Sequence, residues 1–128
     1  MTKPDSDPDE GRVERVVEEL ARHSRAEDIP KVDRQFHDKL ARLRATGKAS
    51  AAMVDRLQLF WRMLRAPDDQ VPWRAKALLM AAVSYFVSPV DLIPDLAGKA
   101  GYLDDALVVH AVHRKLRADI DAFVAAGR

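Results

Sequence analysis

Residues 77–90 carry no charged side chain, in a chain in which 32% of residues are charged. A helix that is apolar all round has no face to offer water, so it belongs either at the centre of a bundle or inside a membrane. A helix of this length reaches about 21 Å, short of the roughly 30 Å of a hydrocarbon core. Lys76 closes the run on one side and Asp91 on the other. A hairpin driven through lipid would drag Asp91, Asp95, Asp104 and Asp105 with it. Each carboxylate would cost at least about 2.5 kcal/mol near the bilayer centre. The run is therefore expected to be the buried hub of a helical bundle, with any membrane contact peripheral.

The rest of the chain supplies helices to surround such a hub. Val13, Val16, Val17 and Leu20 form an apolar stripe at helical spacing, predicting a first helix over about 10–24. Asp28-Ile29-Pro30 is a start signal, and Val32, Phe36, Leu40 and Leu43 carry a second helix to Thr46-Gly47, where Gly supplies a C-cap. Ser50 is placed to cap a third, with Met53, Leu57, Phe60, Trp61 and Leu64 on its stripe, ending before Ala66-Pro67-Asp68-Asp69. The apolar helix begins near Val71-Pro72-Trp73, and a last helix is expected over about 103–125 through Val109, Val112, Leu116, Ile120 and Phe123. No alternating β-branched pattern suggests a strand.

The expected fold is all-α: a compact bundle of four to five helices around one apolar central helix, with an acidic, Pro-containing loop. The length suits one domain. Residues 1–10 read as a disordered acidic tail, 11–66 as N-terminal helices and 67–128 as the helical core that folds with them. The tail is unlike a signal peptide, which points to the cytoplasm. Cysteine is absent, which removes disulfides, thiol nucleophiles and cysteine-ligated zinc. A net charge of +1 gives no global pull toward nucleic acid, which is not expected as a partner.

Ser88-Pro89-Val90-Asp91-Leu92-Ile93-Pro94-Asp95, followed by Gly101-Tyr102-Leu103-Asp104-Asp105, is the most constrained connection in the sequence. Ser88, Pro89 and Asp91 fit a capping box, with Asp91 reaching back to the Ser88 amide. Asp104 and Asp105 suit the positive end of the last helix. Asp95 has only a turn-capping role available beside Pro94. Four carboxylates on one connection leave three readings open: structural caps, an ion-pair lock with basic residues elsewhere, or an oxygen-ligand site for a divalent cation such as Mg²⁺ or Ca²⁺. The spacing is not that of an EF-hand. His110 and His113 stand three apart on one helix, but no second Glu-x-x-His accompanies them, so spare helical histidines are the simpler reading.

Between 39 and 65 the basic residues Lys39, Arg42, Arg44, Lys48, Arg56, Arg62 and Arg65 face a single acid, Asp55, for a net +6. This stretch reads as a solvated surface whose aliphatic stems cover the core, as the internal counter-charge of the acidic loop, or as an anion-binding face for lipid headgroups or nucleic acid built on Arg42, Arg44, Arg56, Arg62 and Arg65. No Gly-rich phosphate loop, nucleophile elbow or Ser/His/Asp arrangement is present.

Three runs together resemble the YkvA-like family, a small helical bacterial domain of unknown function. They are Trp73-Arg74-Ala75-Lys76-Ala77-Leu78-Leu79, the segment from Ser88 to Asp95 with its Ser-Pro-x-Asp-Leu-Ile-Pro-Asp pattern, and Gly101-Tyr102-Leu103-Asp104-Asp105-Ala106. The resemblance covers about 73–112; where members often carry Pro and an apolar residue in the loop, this chain has Gly98 and Lys99. It implies a compact helical module, in some members membrane-associated, and brings no reaction with it. It adds weight to a shared task for the loop acids, with Ser88, Pro89, Pro94, Gly101 and Tyr102 read as structural residues of the loop. The function expected is a non-enzymatic interaction module with a protein partner or a membrane surface and no cofactor. The alternatives are a divalent-metal domain on Asp91, Asp95, Asp104 and Asp105, and an anion binder on the 39–65 stretch.

Overall fold

The computed structural model describes residues 8–47, 51–88 and 105–127, with side chains from Gly11 onward. Among them are α1 (Pro8–Arg22), a short 3₁₀ turn (Ala26–Asp28), α2 (Ile29–Thr46), α3 (Ala51–Arg65), α4 (Trp73–Val87), α5 (Asp105–Lys115) and α6 (Arg117–Ala125), with no strand among the described residues. The all-α expectation holds.

Residues 77–87 of the uncharged run lie in α4, and α4 is the hub. α1, α2, α3 and α5 all pack against it. Its buried residues are Ala75, Lys76, Leu79, Met80, Ala81, Ala82, Val83, Tyr85 and Phe86, which cover most of the helix circumference, with Ala77 and Ser84 half-buried on the remaining side. Ala75, Ala81 and Ala82 have no bulk beyond Cβ, which lets neighbouring helices approach closely while Leu79, Met80 and Phe86 fill the space between. No helix among the described residues is long and apolar enough to cross a membrane.

The outer helices bury the stripes that their sequence spacing marks. Val13, Val16, Val17 and Leu20 of α1 are buried, as are Phe36 and Leu40 of α2 and Leu57, Phe60, Trp61 and Leu64 of α3. Met63 is also fully buried, a position outside the predicted stripe. An aromatic cluster joins three helices: Phe36 stacks on Trp61 with centroids 5.0 Å apart and meets Phe86 edge-on at 5.8 Å. Helix α2 stops at Gly47, whose φ of 66° is left-handed, the backbone conformation that a helix-ending Gly supplies at least cost.

One boundary differs from expectation. The last helix is divided at Leu116, whose φ of −107° and ψ of 20° leave the helical region. The bonds Leu116 N–H to Val112 O (3.0 Å) and Ile120 N–H to Leu116 O (2.8 Å) persist on either side, so the division is a bend rather than a break. It raises the number of described helices to six. Nothing in the local sequence, neither Pro nor Gly, explains it. Ser88 stands at the C-terminal end of α4, its N–H bonded to Ser84 O at 2.9 Å. Its expected partners in a capping box, Pro89 and Asp91, lie outside the described residues, as does Ser50, the expected cap of α3.

Candidate functional site

Each end of the hub helix is tied down by a lysine. At the N-terminal end, Lys76 is only 5% exposed. Its ammonium donates to the Ala66 carbonyl, one residue beyond α3, and to Asp68 Oδ1 at 2.7 Å. The last carbonyls of a helix lack intrahelical donors, so a cation there satisfies an orphan acceptor and meets the negative end of the dipole. Arg74 on the same turn pairs with Asp119 of α6 at 3.0 Å. At the C-terminal end, Lys39 of α2 donates to the Phe86 carbonyl and sits 5.0 Å from the centroid of the Phe86 ring. Lys39 thus caps α4 from a neighbouring helix, a role its place in the basic stretch did not suggest. The Lys76 role did leave a signal: residue 76 falls in helical register with Leu79, Met80 and Val83, where an apolar residue would be expected.

Beside Lys39 a cleft of about 250 Å³ is lined by Gln35, Asp38, Lys39, Arg42, Val87 and Ser88. Of the acidic connection itself, Asp91, Asp95 and Asp104 lie outside the described residues, together with Pro89, Pro94, Gly101 and Tyr102. Asp105 is described; it opens α5 and stands half-buried in that helix's first turn, where its charge suits the dipole. Among the described residues no three His, Asp or Glu side chains group as metal ligands.

The five candidate anion-binding arginines do not form one cluster. Arg44 and Arg62 line the same open groove between α2 and α3, of about 480 Å³, with Phe36, His37, Leu40, Asp55, Gln58, Leu59 and Trp61. Arg62 also lies with its guanidinium 5.7 Å from the Phe123 ring. Arg65 follows Arg62 by three residues on α3, which puts it on the same helical stripe. Arg42 lines the other cleft, on the flank of α2. Arg56 is half-buried and acts on His113 of α5. Burial, followed by the positive charges of Arg56, Arg117 and His110, pushes the His113 pKa below its ordinary 6.5, with Asp121 opposing.

Part of the surface charge is paired across helices and part is not; Arg15, Arg25, Arg34 and Arg117 are exposed and make no ion pair among the described residues. Between α1 and α5 charge is paired across helices: Arg114 with Glu14 at 3.2 Å and Lys115 with Glu18 at 3.0 Å. On the α2–α3 side Arg42, Arg44 and Arg65 are exposed and make no ion pair among the described residues.

What these features define is a small helical module with a largely buried apolar hub. The family model described as "Protein of unknown function (DUF1232)" matches residues 75–111, from the first turns of α4 into α5. An "Uncharacterized membrane protein YkvA" of Bacillus subtilis (strain 168) is 30% identical over 76 residues, spanning 55% of this chain and 70% of the relative. The chain belongs to the YkvA-like family. No solved structure matches it.

Proposed function

We propose that this chain is a non-enzymatic helical interaction module that works at the periphery of a membrane, meeting a protein partner or the bilayer with its folded surface. One observation carries the reading: α4, the most apolar segment, spends its apolar surface on α1, α2, α3 and α5. A helix sheathed in this way already has its apolar partners and gains nothing from lipid. The relative that bears the name of a membrane protein supports a membrane location for the family's chemistry of contact, and the enclosed hub favours contact without insertion. The two clefts beside α2 are open rather than enclosed, which suits contact with another surface.

Fractionation of bacteria expressing the full chain tests the reading. The expected result is a membrane-bound pool that high salt or carbonate releases. A pool that only detergent releases would mean insertion, and a chain found wholly in the soluble fraction would remove the membrane from the account.

A further inference from the structure

We infer that α5 and α6 form a two-state element: bent at Leu116 with α6 docked, or straight, as one helix from Asp105 to Ala125 with α6 swung off the bundle. The element works in this way whether or not the module meets a membrane.

Local sequence favours the straight form. Lys115, Leu116, Arg117 and Ala118 are all strong helix formers, and no Pro or Gly interrupts them. The backbone keeps much of a continuous helix: Leu116 N–H bonds Val112 O at 3.0 Å and Ile120 N–H bonds Leu116 O at 2.8 Å. The chain turns at Leu116, where φ is −107° and ψ is 20°. A turn that the local sequence does not ask for is imposed by the rest of the fold.

The ties that impose it are few and are made by side chains. α1, α2, α3 and α5 pack closely on the hub, whereas the close backbone packing of α6 is with α5 across the bend. In α6 the buried residues are Ile120 and Phe123, fewer than in any other described helix. Arg74 of α4 donates through Nη2 to both carboxylate oxygens of Asp119, at 3.0 and 3.3 Å. The Arg62 guanidinium of α3 lies 5.7 Å from the Phe123 ring. Two apolar anchors and two charged contacts therefore hold the bent state, and losing them releases α6 without unfolding it. In the straight form Ile120 and Phe123 join Val124, already exposed, on one open face, because residues three and four apart on a helix are neighbours. The module thereby carries an apolar edge that the docked form conceals.

The test is a spin-label distance measurement by double electron–electron resonance on the full chain, whose lack of native cysteine leaves an introduced pair unambiguous. Labels are attached through Arg15→Cys in α1 and Ala122→Cys in α6, both at exposed positions. α6 is about 14 Å long, so swinging it about Leu116 moves residue 122 by several ångströms. With the ties intact, one distance should predominate. Asp119→Asn removes the ion pair with Arg74 and should raise the population of a second distance by up to about fivefold. Asp119→Asn together with Phe123→Ala should make that second distance the major one. Far-UV circular dichroism of both variants should show no loss of helix. A distance distribution that neither variant changes overturns the inference. So does a second population that arrives with lost helix signal in Asp119→Asn, because α6 then unfolds rather than straightens.

Discussion

Replacing Lys76 by Met asks whether the buried ammonium is a helix cap or one half of a salt bridge. The side chain touches two acceptors of very different exposure. Asp68 has 83% of its side chain in solvent, whereas the Lys76 side chain has 7%. An ion pair with one partner in water is worth no more than about 0–1 kcal/mol. A hydrogen bond from a charged donor to a carbonyl is worth about 1.5–3 kcal/mol. Met keeps most of the stem, so packing against the hub is retained and the polar tip alone is lost. Lys76→Met is therefore expected to cost about 1–3 kcal/mol, and Asp68→Asn less than about 1 kcal/mol. Urea unfolding followed by far-UV circular dichroism reads both as shifts in midpoint. Salt sharpens the distinction, since it screens exposed charge more than buried contacts. The Lys76→Met cost should persist at high salt while the smaller Asp68→Asn cost fades. Equal costs for the two variants, or a neutral Lys76→Met, would refute the capping argument.

Lys39→Met should lower stability by about 1–2 kcal/mol, because it removes both the bond to the Phe86 carbonyl and the contact with the Phe86 ring; an unchanged urea midpoint would contradict it. Gly47→Ala should cost about 1 kcal/mol in the same assay from backbone strain alone, since φ is 66° and an added Cβ meets nothing within 4 Å. The lowered His113 pKa means that the unfolded chain takes up the proton first as pH falls below 6.5. His113 then draws stability down between 6.5 and its lower folded value, and adds no pH dependence well above 6.5. Melting temperatures of His113→Gln should accordingly fall less steeply than those of wild type as pH drops through that window; parallel curves would exclude the histidine as a source.

The hub and its stripes were legible because burial leaves a periodic trace. Val13, Val16, Val17 and Leu20 repeat at helical spacing and are buried together, and the part of the uncharged run that lies in α4 is largely buried, as its lack of a charged face requires. Gly47 was legible for a different reason: few residues other than Gly end a helix in the left-handed region cheaply. The bend at Leu116 was not legible, since hydrogen bonds continue through it and no Pro or Gly announces it. Basic charge was visible as composition, yet its division of labour was not. Lys39 and Lys76 are spent on helix ends, Arg56 is half-buried with its charge felt at His113, and Arg44 and Arg65 remain exposed. Net charge over a segment does not say which residues another element has already engaged. The loop acids identify the family, but Asp91, Asp95 and Asp104 lie outside the described residues, so their caps, ion pairs or metal remain expectations of the sequence.

The central claim is that α4 is held by protein around most of its circumference and does not depend on lipid. Hydrogen exchange of the full chain in lipid-free buffer measures this directly. Amides from Leu79 to Phe86 should exchange last of all, at the rate set by global unfolding, because opening them means removing α1, α2, α3 and α5 from the hub. If they exchange as fast as the exposed corner at Asp68 and Asp69, the hub is not closed in water and the bundle account is wrong.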